Sequence, residues 1–152
     1  MNIDIYTDGS SYYKDGTGGW AFVVVRNDIE IYQNFGNKRN TTISVMEMLA
    51  VYNSMKYIKR NFIDKNRKVK VRIFCDSAFV VNTFLEKWYI RWREMEWYGV
   101  KNSKLWRKIL DLYFTKGMDI EFVKIKGHSG NKWNDIADFY AGSARKILNE
   151  NS

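Results

Sequence analysis

Four acidic side chains stand in settings that suit a site for hard divalent cations. Asp8 closes the alternating run Ile3-Asp4-Ile5-Tyr6-Thr7 and is followed by Gly9-Ser10. Asp76 closes a second such run, Val69-Lys70-Val71-Arg72-Ile73-Phe74-Cys75, and is followed by Ser77. Glu47 sits inside the apolar stretch Val45-Met46-Glu47-Met48-Leu49-Ala50-Val51. Asp138 belongs to a late helical pattern that follows Gly127-His128-Ser129-Gly130. Carboxylates held close repel one another, and a cation offsets that repulsion. Mg²⁺ takes oxygen ligands in octahedral geometry and keeps several waters, so a few carboxylates plus a substrate phosphate suffice. Two such ions about 4 Å apart can activate a water and stabilise the leaving oxygen in phosphodiester cleavage.

Each acid alone also has a plainer reading. Asp8 could be an ordinary turn aspartate before glycine, Asp76 a helix cap at Ser77, and Asp138 a solvated helix position one turn after Asp135. Glu47 is harder to dismiss, because a charge among apolar neighbours is costly when buried without a partner. No other chemistry stands out. A single histidine argues against a Cys/His zinc site. No G-x-x-x-x-G-K-[ST] loop is present, and Gly16-Thr17-Gly18-Gly19 reads as a turn.

The rest of the chain is basic. Lysine and arginine number 25 against 17 acids, a formal charge of +8, although four of those acids belong to the candidate site. Such a field favours polyanions, with nucleic acid first and anionic membrane second. The 152 residues fit one domain, and a hydrophobic content of 45% supports a folded core. Aromatic residues reach 16%, more ring volume than a small core readily accepts, so some should serve the surface. Cys75 is the only cysteine, lies within an apolar strand pattern, and reads as core. That fits a reducing compartment. No apolar run approaches the ~20 residues of a membrane span, and no signal-type segment precedes the first strand. The expectation is a cytoplasmic protein.

Three strands must come first: residues 2–8, 19–26 and 29–36, with a polar turn over 11–19 and a tight turn at Asn27-Asp28. Thr41-Thr42 can cap a helix that runs to about Arg60. Strand 69–75 and a short helix 77–87 follow. Residues 88–101, crowded with tryptophan and charge, resist assignment. A helix over 102–115, a strand over 118–124 and a final helix over 131–149 complete the order. This pattern predicts an α/β fold with a five-stranded mixed sheet, its first three strands antiparallel, covered by helices on both faces. If the first and fourth strands are parallel neighbours, Asp8 and Asp76 emerge side by side at their carboxyl ends, where open α/β sheets commonly bind ligands.

With these residues in view, the chain resembles the type I ribonucleases H, which cut the RNA strand of RNA–DNA hybrids. The resemblance covers nearly the whole chain. It rests on Tyr6-Thr7-Asp8-Gly9-Ser10, Gly18-Gly19-Trp20-Ala21, Thr41-Thr42 ahead of Glu47, Cys75-Asp76-Ser77, and Lys126-Gly127-His128-Ser129-Gly130-Asn131 continuing to Asn134 and Ala137-Asp138. It implies the ribonuclease H-like fold and four metal-binding carboxylates, Asp8, Glu47, Asp76 and Asp138. It implies two Mg²⁺ ions per site, with Mn²⁺ as a substitute, and products with 5′-phosphate and 3′-hydroxyl ends. It places His128 in catalysis or product release.

Between Lys87 and Lys108 lie four of the six tryptophans and seven Lys or Arg against two Glu. Interleaved rings and cations suit a phosphate backbone and sugar faces. Trp106 reads instead as core. Trp88, Trp92 and Trp97 resemble the substrate-binding handle of bacterial family members, with Trp88 as the residue expected to line the DNA-strand channel. Thr42 and Asn102 match positions that hold a DNA phosphate. The pattern also departs from the family. Lys14 and Ile43 replace asparagines near the hybrid, Asn40 replaces an arginine, and the stretch from Trp97 to Trp106 is short. The expectation is a single ribonuclease H domain over 1–152, monomeric, without a separate hybrid-binding domain or a membrane partner. A related nuclease with another substrate, such as branched DNA, and a non-catalytic nucleic-acid-binding module of the same fold are the alternatives.

Overall fold

The computed structural model describes residues 1–150. Strands β1 (Asn2–Tyr12), β2 (Thr17–Arg26) and β3 (Ile29–Lys38) are followed by helix α1 (Ile43–Asn61). Then come β4 (Val69–Cys75), α2 (Ala78–Leu85), α3 (Trp88–Glu94), α4 (Ser103–Tyr113), β5 (Met118–Lys124) and α5 (Lys132–Glu150), with one 3₁₀ turn at Ile63–Lys65. The sheet order is β3-β2-β1-β4-β5. β1, β2 and β3 pair antiparallel, whereas β1–β4 and β4–β5 are parallel.

Strand alternation divides the core between two faces. Ile3, Ile5, Phe22, Val24, Val71 and Ile73 pack with Met48, Val51 and Met55 of α1 and with Trp106 and Ile109 of α4. Tyr6, Val23 and Val25 point the other way and pack against Ala137 of α5. Helices therefore cover both faces, as the strand order predicts. The close approach of α5 to β2 depends on Gly19, where a Cβ would overlap the carbonyl oxygen of Ala141.

The first hairpin is longer than the alternation suggested. Residues 11–19 are not all turn: β1 runs to Tyr12, β2 begins at Thr17, and the turn proper is only 13–16. Polar Ser10 and Ser11 pair with Gly19 and Gly18, so the ladder continues where the hydrophobic pattern has ended. Asp15 closes the turn, its Oδ1 accepting from the backbone N–H and hydroxyl of Thr17 at 2.9 and 2.6 Å. The expected helix over 77–87 is shorter. Lys87 adopts φ 54°, which breaks the chain between α2 and a separate helix, α3, in the segment that resisted assignment. No helix among the described residues is long and apolar enough to cross a membrane.

Candidate active site

The β1–β4 register pairs Thr7 with Cys75, so Asp8 and Asp76 each stand one residue beyond a parallel partner pair. Asp76 follows the last residue of β4, while Asp8 stays within β1, paired with Ala21 of β2, beside it at the centre of the sheet. Ser77, rather than Asp76, caps α2: its hydroxyl accepts from the Val80 N–H at 3.3 Å. This leaves the Asp76 carboxyl free of the capping role.

Glu47 reaches the same point from α1. Thr42 caps that helix, its hydroxyl accepting from the Val45 N–H at 3.3 Å. Gly9 then lets the helix pass close by, because a Cβ there would lie 2.7 Å from the Glu47 backbone nitrogen. Asp138 arrives on α5, whose first turn is capped by Asn131; its Oδ1 accepts from the N–H groups of Trp133 and Asn134, each at 3.0 Å.

The four carboxylates form one cluster. Asp8 and Asp138 are close enough to share a proton, as are Glu47 and Asp8. Burial pushes Asp8 up to about 8, and the neighbouring Asp138 and Asp76 add to the effect. Burial likewise holds Glu47 well above its ordinary range, helped by Asp8 and Asp76. Asp76 is raised mainly by burial, with Lys124 opposing. The Gly9 N–H donates to the Asp8 and Glu47 carboxyls in partial compensation. Glu47 is 6% exposed, and its Oε2 is buried without a hydrogen-bond partner among the described residues. An acceptor-only group in that position is costly unless a cation or proton occupies it. The site therefore fits hard divalent cations, with all four carboxylates as available ligands.

His128 stands at the rim. Its side chain is 82% exposed, with Nδ1 4.0 Å from Asp138 Oδ2, an approach rather than a hydrogen bond. Its φ is 55°, in the left-handed region. Gly127 sits directly over Asp76, where a Cβ would lie 2.8 Å from Oδ2.

The expected substrate contacts are spread over four elements. Lys14 is exposed in the first hairpin turn, and Thr42 is exposed at the start of α1. Asn102 precedes α4 in the left-handed region, φ 58°, and its side chain makes no capping bond. Trp88 begins α3, half-buried, with its indole N–H donating to Glu86 at 2.8 Å. Trp106 is fully buried, as its place in the apolar stripe predicts. Trp92 and Trp97 are less free than a surface handle implies. Both pack against the core, the Trp92 ring lying tilted at 5.5 Å from that of Trp106.

Two residues near the site were not among the expected site residues, and one of them, Cys75, was read as core and is indeed fully buried. Cys75 lies with its sulfur against the Glu47 and Asp76 carboxylates, all three sets of ligand atoms within 4.8 Å of one another. Its adjacency to Asp76 was the available signal. Arg145 donates to the Ser10 hydroxyl at 3.3 Å and covers the Tyr12 ring. Its position seven residues after Asp138 places both on one face of α5.

Comparison with known proteins agrees with this architecture. The crystal structure of LC9-RNase H1, a type 1 RNase H with the type 2 active-site motif, superposes with a TM-score of 0.81 at 20% identity, over 96% of this chain and 72% of that one. The structure of LC11-RNase H1 in complex with RNA/DNA hybrid superposes with a TM-score of 0.76 at 21% identity, over 96% of this chain and 98% of that one. The fold is thus that of the type 1 RNases H. In sequence, the RNase H family model matches residues 1–146. A ribonuclease H of Caldanaerobacter subterraneus subsp. tengcongensis is 33% identical over 98% of this chain and 95% of its own. The chain belongs to the RNase H family.

Proposed function

We propose that this protein is an endonuclease that hydrolyses the RNA strand of RNA–DNA hybrids, acting as a single domain and leaving 5′-phosphate and 3′-hydroxyl ends. The observation that carries the reading is the clustering of Asp8, Glu47, Asp76 and Asp138 at one sheet end of a chain with a formal charge of +8. The name shared by its sequence relatives and the hybrid bound in one structural neighbour support it.

Asp8, Glu47, Asp76 and Asp138 would hold two Mg²⁺ ions, or Mn²⁺ in their place. When bound, such ions supply positive charge that acidifies a water and stabilises a leaving oxygen. Asp8, one residue past the end of the β1–β4 pairing, and Asp76, just beyond β4, set the spacing of the site. Glu47 anchors it from α1, and Asp138 completes it from α5. His128, exposed at the rim, assists turnover by moving a proton or helping product leave.

The hybrid is held by groups suited to its two strands. Thr42 uses its oxygen as an acceptor in the helix cap, so its hydroxyl proton remains for a DNA phosphate. Asn102 offers amide donors to the same strand. Trp88 presents an indole face to the DNA channel, and Lys14 neutralises a phosphate from the first hairpin. The discriminating experiment incubates the protein and Mg²⁺ with hybrid, double-stranded RNA, double-stranded DNA and single strands, and analyses the product ends. Cleavage confined to the RNA of the hybrid, with 5′-phosphate ends, supports the proposal. Tight hybrid binding with no cutting would replace it with a non-catalytic binding module.

A further inference from the structure

We infer that Cys75, Glu47 and Asp76 form a second, sulfur-containing cation site that captures thiophilic divalent ions such as Zn²⁺ or Cd²⁺. This site shares two carboxylates with the hard-cation site proposed above. It nevertheless stands on its own geometry and does not require that the protein cut nucleic acid.

Three observations carry it. The Cys75 sulfur, a Glu47 oxygen and an Asp76 oxygen all lie within 4.8 Å of one another. Ligand atoms on one tetrahedral ion with bonds of 2.0–2.3 Å stand roughly 3.5 Å apart, so small side-chain rotations close the site. Glu47 Oε2 is buried and has no hydrogen-bond partner, although its residue is only 6% exposed. This oxygen supplies an acceptor that no group among the described residues satisfies. Finally, the backbone N–H of Ser77 points at the Cys75 sulfur at 3.4 Å and partly opposes the upward push that burial and then the Glu47 carboxylate exert on the thiol, so only an ion with strong affinity for thiolate displaces its proton.

The two kinds of ion would use the pocket differently. Mg²⁺ takes oxygen ligands and leaves the thiol alone. Zn²⁺ and Cd²⁺ accept thiolate strongly, and two carboxylates complete a mixed set. Binding breaks the Cys75 S–H bond, releases that proton and any proton held by Glu47 or Asp76 to solvent, and forms a sulfur–metal bond, with no change in oxidation state. An ion in this position occupies Glu47 and Asp76 and displaces the hard-cation arrangement. Half-buried Asp76 provides the approach, because both Glu47 and Cys75 are closed to solvent.

The test titrates the full, metal-free chain with Cd²⁺ alone and follows the ultraviolet sulfur-to-cadmium charge-transfer absorption, without nucleic acid. The wild type is expected to develop the band to saturation at one ion per chain. Cys75→Ala should lose the band while keeping a cooperative thermal transition, which separates loss of the ligand from loss of the fold. Glu47→Gln should keep the sulfur but weaken the apparent affinity by at least about tenfold. Excess Mg²⁺ should suppress the band in the wild type. A folded wild type without the band would overturn the inference, as would a band of undiminished affinity in Glu47→Gln. If hybrid cleavage fails while the band forms, the functional proposal falls and this one stands; the reverse pattern separates them equally well.

Discussion

Gly127 lies so close over Asp76 that a Cβ on it would meet the carboxylate oxygen at 2.8 Å. The loop carrying His128 is therefore seated directly on a candidate metal ligand, and the missing side chain is what allows that. Gly127→Ala should push the Asp76 carboxyl aside at little cost in stability, because that half-buried side chain can rotate. The expected result is a fall in kcat of roughly tenfold or more, with thermal stability changed by less than about 1 kcal/mol. Steady-state kinetics and thermal unfolding on the same sample would check both halves.

Gly19 offers the opposite case. An added Cβ would overlap the Ala141 carbonyl and lie 2.7 Å from the Arg145 nitrogen, and helix backbone cannot step aside as a side chain can. Gly19→Ala should destabilise the protein by roughly 2–4 kcal/mol, because α5 must lift from β2. The lift also carries Asp138 away from Asp8. Denaturant unfolding should show the loss, and raising the Mg²⁺ concentration should restore only part of the activity.

The acid cluster predicts an inverted pH dependence of stability in chelator. Asp8 is raised to about 8 in the folded chain, and Glu47 and Asp76 move the same way. In the unfolded chain carboxyls titrate near about 4. The folded state thus holds protons that the unfolded state releases. That contribution is whole below about pH 4 and is lost as the pH rises through about 8. Thermal melts in chelator should show Tm falling by roughly 5–10 °C across this window. Mg²⁺ should recover most of the loss at the alkaline end and little at the acid end. Asp8→Asn should flatten the fall and shrink the recovery.

His128→Ala should lower kcat by roughly tenfold to a hundredfold and leave KM nearly unchanged. The side chain is 82% exposed, so no packing is lost with it. Rapid-quench measurement of the first turnover would separate a chemical role from one in product release.

Much of the site could be read in the chain because strand alternation is a strong signal. The patterns ending at Asp8 and Asp76 locate where β1 and β4 stop pairing with each other, although β1 itself runs on to Tyr12 against β2. Glu47 was conspicuous as a charge in an apolar helix, yet its contact with β1 depends on the close passage over Gly9, which no periodicity reveals. The plainer reading of Asp76 as a helix cap falls because Ser77, a residue type that caps equally well, takes that role one position later. Residues 88–101 stayed obscure because their rings serve two purposes: Trp92 and Trp97 pack on the core at their inner edges while charges crowd around them. Only Lys87, in a left-handed conformation that lysine seldom adopts, marks the break before α3, and the sequence alone offers no cue to it.

The central claim is that four clustered carboxylates make this protein a metal-dependent nuclease for hybrids. It is tested most directly with a hybrid labelled on the RNA strand, incubated with wild type or Asp8→Asn in Mg²⁺ and in chelator. The account predicts internal RNA cuts by the wild type in Mg²⁺ only, with activity in Asp8→Asn reduced by at least about a thousandfold. Cutting that persists in chelator, or in Asp8→Asn at the wild-type rate, would contradict it.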